Sequence, residues 1–423
     1  MAPLAVLLAG QMPPSKGFWW DFSIALGFAG MGMMGIQFAL TSRFKIATRA
    51  FGIDIVYLFH RYLAIIALAV VLAHFAIFWF FHPDALGDLD PRTARTELTL
   101  GRAALLLFGL AVVTSEFRKL LRLEYGLWRY AHVAFATLGF AAAIGHIVGV
   151  GYYIEAPGKR ALWLSVTLFW ALAVVWVRIL KPWSQLRHPY RVIEVRPERD
   201  NTWTLALEPS GHDGLSRFMP GQFAWLTLRC SPFLLREHPF SIVSAPERLP
   251  RIEFGIKELG DFTATIGGVK PGEIAYLDGP YGVFSVDRNQ DARGFVGIVG
   301  GIGITPLLSM LRSLAERSDH RPVWLFYGSN SWDTVVYREE IEKLKKCLNL
   351  TVVYILEKPP DGWDGETGHL DAQMLERHLP KRGRDELRYF LCGPVPMTNA
   401  AEKGLHALGV PASRIQTEIF ELV

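Results

Sequence analysis

Four histidines in the apolar first half of the chain are the residues best suited to hold a metal. His60 and His74 lie in one apolar stretch, His132 and His146 in another, and each pair is 14 residues apart. In a helix, 14 residues at about 100° each return to within about 40° of the starting direction and rise roughly 21 Å. Each pair therefore shares one helix face at two depths, inside a hydrocarbon layer about 30 Å thick. If the two stretches run parallel, His60 faces His132 at one level and His74 faces His146 at the other. Two levels of two imidazoles make two six-coordinate haem sites stacked across a membrane. A lone intramembrane histidine more often hydrogen-bonds a neighbouring helix, and the repeated spacing is what favours ligation here. One zinc ion fits poorly, since the levels are too far apart and each lacks a third ligand. His82, beside Pro83 and Asp84, reads as a solvated end residue.

The second half carries a different chemistry. His238-Pro239-Phe240-Ser241 and the segment Lys257 to Thr263, with Gly260 in it, offer an apolar aromatic wall, a hydroxyl and a cation. A flavin requires those parts for its ring, its polar edge and its diphosphate. Taken alone, an aromatic followed by Ser in a strand is ordinary packing. Further on, Gly300-Gly301-Ile302-Gly303 separates an apolar strand from an amphipathic helix that opens at Thr305-Pro306. Such a turn presents backbone amides and a helix N-terminus to an anion, as a nucleotide diphosphate needs. It is not G-x-G-x-x-G, so the dinucleotide fingerprint is not strictly matched. Cys392-Gly393-Pro394 ends a later strand at its carboxyl edge, where ligands bind in parallel sheets. A lone cysteine there also has a plain structural reading.

The elements that must position these residues follow from hydropathy and periodicity. The 423 residues are 51% hydrophobic, and nearly all long apolar runs lie before Lys181. Five stretches, 18–41, 57–81, 98–116, 128–152 and 161–180, are long enough to span a bilayer. The run Ala2 to Gly10 is too short to cross and reads as an interfacial lid or the tail of a further helix. It lacks the basic start of a signal peptide. Arg43, Lys45 and Arg49, then Arg118, Lys119 and Arg122, then Lys181, Arg187 and Arg191 mark three segments on the cytosolic side. The acidic loop His82 to Glu97 belongs outside. The C-terminal half is then cytoplasmic, and the chain is a multi-pass protein of the cell (inner) membrane in contact with lipid. A net charge of +4 gives no reason to invoke nucleic acid, and three isolated cysteines suit a reducing compartment.

Short alternating runs at Arg191–Val195, Thr202–Leu207, Gln222–Leu228, Ile252–Ile256 and Ile274–Leu277 read as a small antiparallel barrel. From Phe295 onward, strands at 295–299, 323–327, 351–356 and 388–391 alternate with helices and predict a parallel sheet. The expectation is a multi-domain membrane protein: an α-helical transmembrane bundle (1–183), an antiparallel FAD-binding β-barrel (187–290) and an α/β nicotinamide-binding domain (291–423).

The order of motifs, paired His-x13-His spans, HPFS, GDFT, GPYG, GGIGITP and CGP, resembles the NADPH oxidase and ferric reductase family over nearly the whole chain. The resemblance implies two b-type haems, FAD and NADPH or NADH as cofactors, in a cytosolic half like ferredoxin–NADP reductase. It implies that His238, Pro239, Phe240 and Ser241 contact the flavin, with Lys257, Gly260 and Thr263 on its diphosphate side. Gly300, Gly301, Gly303, Thr305 and Pro306 resemble the nicotinamide diphosphate loop. Cys392, Gly393 and Pro394 resemble the residues beside the reacting ring, and Phe420 the C-terminal aromatic that shields the flavin, although three residues follow it here. The implied activity is electron transfer from NAD(P)H to dioxygen, giving superoxide, or alternatively to ferric or cupric chelates, with no obligatory protein partner. No calcium-binding helix–loop–helix precedes the membrane half, so calcium regulation is not expected. One departure stands out: where NADPH-preferring relatives carry Arg for the 2′-phosphate, this chain has Gly328-Ser329-Asn330, with Arg338 eight residues beyond Asn330.

Overall fold

The computed structural model describes residues 14–43 and 53–419, with the side chains of 53 and 54 left aside. The run Ala2 to Gly10, the basic residues Lys45 and Arg49, and Phe420 lie outside the described residues. The chain divides into two compact units, one of membrane helices ending at Trp183 and one from Ser184 onward.

In the first unit, five helices are long and apolar enough to cross a membrane. They are α1 (Phe18–Thr41), α2 (Ile53–Phe81), α3 (Thr96–Glu116), α4 (Tyr125–Val150) and α5 (Pro157–Val175). The last continues through a π-helical turn, Trp176–Leu180, into α6 (Lys181–Arg187). Large apolar side chains such as Phe59, Leu106, Leu138 and Leu168 are exposed on the outside of the bundle, as lipid-facing surfaces require. Its centre is built from Phe28, Met34, Phe108, Phe140, Trp163 and Trp170. Lipid supplies no hydrophobic drive for helices to pair, so close contact rests on small residues. A Cβ at Gly149 of α4 would lie 2.6 Å from the Glu97 side chain of α3, and one at Gly35 of α1 would lie 2.2 Å from Trp170 of α5. Glycine at those positions lets the backbones approach.

The second unit opens with an antiparallel sheet of β1 (Tyr190–Pro197), β2 (Thr202–Pro209), β3 (Phe223–Leu228), β4 (His238–Ser241), β5 (Ile252–Lys257) and β6 (Ile274–Tyr281). Their order is β4-β3-β6-β1-β2-β5, and a bridge between Ile242 and Phe254 joins the two edges into a barrel. The HPFS motif is itself a strand, which its proline hid from the alternation pattern. The barrel core is Leu205, Leu207, Leu226, Ile252, Phe254 and Ile256, all fully buried.

A six-stranded parallel sheet follows, in the order β10-β9-β8-β7-β11-β12. Its strands are β7 (Gly294–Gly300), β8 (Val323–Ser331), β9 (Leu350–Lys358), β10 (Glu366–Thr367), β11 (Leu387–Cys392) and β12 (Ile415–Glu418). The helices between them are α7 (Ile304–Glu316), α8 (Arg338–Leu344), α9 (Ala372–His378) and α10 (Val395–Ala407). Every residue of β7 is buried, as a strand covered on both faces must be. The bundle, barrel and doubly covered parallel sheet agree with the architecture expected from the sequence. Strands β10 and β12 lacked a periodic signal because they are two and four residues long.

Candidate functional site

In the membrane unit, α2 and α4 carry the two histidine pairs at matching depths. The rings of His60 and His132 lie 6.3 Å apart between centroids, with planes at 69°. Two imidazoles bound on opposite sides of one metal, each through a bond of about 2.0–2.1 Å, place their ring centres roughly 6 Å apart. The pair lines a cavity of about 130 Å³ together with Gln37, Thr41, Ser42 and Arg178. His74 and His146 line a second cavity of about 510 Å³, whose rim carries Lys16, Asp84, Arg95 and Arg102. No group of three or more His, Cys, Asp or Glu gathers among the described residues. The donor set is two imidazoles lining one cavity at each level, which suits a planar group that brings its own four ligands.

A ligating imidazole holds its direction only if its other nitrogen is tied. His74 Nδ1 lies 2.7 Å from the carbonyl of Ser23, and His146 Nδ1 lies 2.8 Å from the carbonyl of Glu97. His132 Nδ1 lies 3.0 Å from Ser115 Oγ. In each case the Nε2 edge has no hydrogen-bond partner among the described residues. His60 differs: among the described residues its buried Nδ1 has no partner, and both amide atoms of buried Gln37 are likewise unsatisfied. Glycine makes room for the two outer rings. A Cβ at Gly27 would sit 3.2 Å from the His74 ring, and one at Gly101 would sit 2.8 Å from His146 Nδ1.

These supports repeat. Ser23 and Gly27 on α1 stand to His74 as Glu97 and Gly101 on α3 stand to His146. Gln37 and Thr41 on α1 sit at the same spacing as Ala111 and Ser115 on α3, and in both the hydroxyl donates to the carbonyl four residues earlier. Helices α1–α2 and α3–α4 thus form an internal duplicate, offset by 74 residues at the supports and 72 at the histidines. Sequence reasoning found the histidines and missed the supports, because a backbone carbonyl can come from any residue. The signal that could have found them is the common offset. It missed as well that the π-helical turn sets Arg178 against the inner cavity. His82 is half-buried, edge-on to Trp20 at 5.3 Å, rather than freely solvated.

In the barrel, β4 lays His238 and Phe240 beside Phe262 of the following loop. His238 and Phe262 stack at 4.0 Å with planes 18° apart, and Phe240 is parallel to Phe262 at 6.0 Å. Phe262, not singled out from the sequence, is the middle of this aromatic wall. Ser241, at the end of β4, is buried with no hydrogen-bond partner for its hydroxyl among the described residues. Lys257 is engaged by Asp200, and its neighbour Glu258 accepts from Trp203 Nε1 at 2.7 Å. The Thr263 hydroxyl accepts from the Leu259 and Gly260 amides and donates to the Gly260 carbonyl. Thr263 and Gly260 therefore shape a tight loop, with the hydroxyl used inside it.

At the carboxyl edge of the parallel sheet, the GGIG and CGP turns interlock. A Cβ at Gly303 would lie 2.1 Å from the Cys392 carbonyl oxygen, and one at Gly393 would lie 2.9 Å from the Gly300 amide nitrogen. Gly301 has φ +53, which glycine adopts without strain. Thr305 is buried and donates to the Ile302 carbonyl at 2.9 Å, and Pro306 occupies the first turn of α7, where no amide is lost. Cys392 is buried, in register with Val299 on one side and Glu418 on the other. Pro394 and Met397 close over Gly300. The barrel reaches this edge too, since a Cβ at Gly255 of β5 would lie 2.6 Å from both Thr305 and Tyr337. Ser329 and Asn330 lie at the end of β8, one strand away, and Arg338 opens α8.

Comparison with known proteins follows the same three parts. Family models match residues 26–143 (ferric reductase like transmembrane component), 190–285 (FAD-binding domain) and 298–403 (oxidoreductase NAD-binding domain). NADH-cytochrome b5 reductase 1 of Pyricularia oryzae is 29% identical over 191 residues, 43% of this chain. The reductase component of propane 2-monooxygenase from Rhodococcus jostii is 32% identical over 237 residues, 53% of this chain. In both cases the chain spans 61% of the relative's own length. A flavohemoglobin from Malassezia yamatoensis aligns over 99% of each chain with a TM-score of 0.52 and 18% identity, a likeness of fold alone.

Proposed function

We propose, for a chain that has the three-part architecture of the NADPH oxidase and ferric reductase family, that it carries electrons from cytosolic NAD(P)H across a membrane to dioxygen, releasing superoxide. The observation that carries the reading is the facing His60 and His132 rings at one depth and the cavity shared by His74 and His146 at another, on helices of the same chain as an FAD and an NAD domain. When bound, FAD and two b-type haems would supply the redox chemistry, taking up a hydride and passing its electrons singly. His60 with His132 and His74 with His146 would hold the two haems. The Ser23 and Glu97 carbonyls keep the outer imidazoles in the tautomer that presents Nε2.

In the soluble unit, the interlocked GGIG and CGP turns offer amides to the nucleotide diphosphate and leave the Cys392 end of β11 beside the nicotinamide. His238, Phe240 and Phe262 exclude water from one side of the flavin site, and the Ser241 hydroxyl is free to donate to its polar edge. Relatives named as NADH-cytochrome b5 reductases support the transfer from a nicotinamide to a haem protein. The basic residues Arg43, Arg118, Lys119, Arg122, Lys181 and Arg187 support a cytoplasmic side for the C-terminal unit.

The test uses purified full-length protein with FAD, following NAD(P)H oxidation and cytochrome c reduction with and without superoxide dismutase. Dismutase-sensitive reduction is expected. Rapid turnover of ferric chelate with no dismutase-sensitive component would favour the second reading, an external metal reductase, which the description of the transmembrane family model supports.

A further inference from the structure

The end of β8 decides which nicotinamide nucleotide is accepted, and its side chains are all accounted for. In open parallel sheets the diphosphate lies on the glycine turn after one strand. The adenosine ribose then reaches the carboxyl end of the next, where an acid favours a free 2′-hydroxyl and an arginine a 2′-phosphate. Here the glycine turn follows β7, and β8 is its neighbour, with Gly300 and Gly328 in register. The residues that follow Gly328 are Ser329, Asn330, Ser331, Trp332 and Asp333. Ser329 Oγ is paired with Thr334 Oγ1 at 2.9 Å, and the same Thr334 hydroxyl accepts the Ser331 amide. Asn330 is exposed and neutral. The Asp333 side chain is 90% exposed.

Two arginines stand close by, and both are engaged by neighbours. Arg338 Nη1 donates to the Trp332 carbonyl at 2.9 Å, its Nη2 donates to Glu339 Oε1 at 3.2 Å, and its guanidinium lies 4.4 Å over the Trp332 ring. Its side chain is only 15% exposed. Arg199, from the barrel, donates to the same Glu339 oxygen at 2.6 Å and lies 3.9 Å from Asp333. The bond from Arg199 is the main cause that holds the Glu339 carboxyl down at about 2, so this acid stays ionised at any working pH. Lys358, aligned with Ser331 on β9, is an exposed cation one strand further out. An ammonium on a flexible stem gives a point charge, without the fork that clamps a phosphate.

We infer that this site selects NADH over NADPH, and that Glu339 is the specificity-determining residue because it ties down both local arginines. The inference rests on the reading of the soluble unit as a nicotinamide site and adds the class of nucleotide to it. A 2′-phosphate would meet Asp333 and Glu339 with Arg199 and Arg338 both already engaged, whereas a ribose hydroxyl can donate to either carboxylate.

The experiment measures binding of NAD+ and NADP+ by calorimetry, and kcat/KM for NADH and NADPH, on the full chain with FAD. Wild type should favour the unphosphorylated nucleotide in both. Asn330→Arg should raise the NADP+ to NAD+ affinity ratio about tenfold or more, the worth of a charge-assisted contact. Glu339→Gln should move the ratio the same way by freeing Arg199, whose Nε and Nη2 both donate to Glu339, and Lys358→Ala should leave it where it is. A wild type that binds NADP+ more tightly, or an unchanged ratio in both Asn330→Arg and Glu339→Gln, overturns the inference. Tight, selective NAD+ binding with no electron transfer would instead sink the proposed function and leave the nucleotide assignment standing.

Discussion

An imidazole is best aimed at a metal when its second nitrogen is held, and at His74 and His146 the backbone holds it. The Ser23 and Glu97 carbonyls sit on helices that flank the histidine helices, and Gly27 and Gly101 remove the Cβ atoms that would push the rings aside. A valine at Gly101 must displace His146, since its Cβ would already be 2.8 Å from Nδ1. On the two-haem reading, Gly101→Val should halve the haem content and remove the outer centre. Gly109→Val on the same helix, where a Cβ meets nothing within 4 Å, should keep both. Pyridine haemochrome stoichiometry reads the difference, and full haem content in Gly101→Val would mean the outer pair has been misassigned. The histidines were legible because no other residue type does their work. Their supports were not, since a carbonyl has no residue signature and a glycine in a membrane helix has many uses. His60 shows the limit of both views, for nothing in the sequence marks it as the one ring whose Nδ1 finds no partner among the described residues.

Helix α7 ties the nucleotide domain to the barrel through Ser309, Ser313 and Arg312, and the Arg312 guanidinium is its most enclosed charge. Arg312 donates to the Val243 carbonyl and to Glu253, both barrel residues, and to Glu340 on α8, all at 2.6–2.9 Å. Burial alone would raise the Glu253 carboxyl, yet Arg312 and Arg251 together hold it below the ordinary range. A carboxylate held low stabilises the fold above its unfolded pKa, and that contribution is lost as pH falls through the folded value. Removing Arg312 leaves Glu253 with Arg251 as its partner, so the expected cost lies below the about 3–5 kcal/mol of a buried charge left with none. Arg312→Ala should therefore lower the thermal midpoint of the FAD-loaded protein, and adding Glu253→Gln should recover part of the loss. Equal midpoints for wild type and Arg312→Ala would show that the two domains hold together without this lock. Such a network was invisible in sequence because its members come from three elements at unrelated spacing. The strands themselves were legible wherever alternation or a full apolar run was at least five residues long. HPFS and β12 were not, being four residues each, with a proline in the first. The arrangement of the GGIG and CGP turns was legible only as two motifs; that they interlock depends on Gly303 and Gly393 letting backbone meet backbone.

Across the whole molecule, one chain holds a nucleotide-oxidising half and a membrane half, and the transmembrane reading requires that neither suffice alone. A flavin site exposed to water can reduce small soluble oxidants directly, so turnover by itself does not prove passage across a bilayer. The two halves separate if the acceptor is enclosed. In sealed vesicles carrying the protein, external NADH reaches only molecules whose soluble half faces out. Cytochrome c trapped inside can then be reduced only by electrons, or superoxide, delivered at the far side. Ferricyanide added outside reports the soluble half on the same sample. Wild type should reduce both. His74→Ala and His146→Ala remove one ligand each from the outer level, more than a helical turn below which the inner pair remains, and should abolish reduction of the enclosed acceptor while external ferricyanide reduction persists. His60→Ala and His132→Ala should do the same by breaking the path at the inner level. Loss of ferricyanide reduction in all four would point to a folding defect in the bundle that spreads through the chain, and a second check by flavin content would register it. If the enclosed cytochrome is reduced as fast in the His74 and His146 variants as in wild type, the electrons do not travel by these imidazoles, and the stacked-site reading fails.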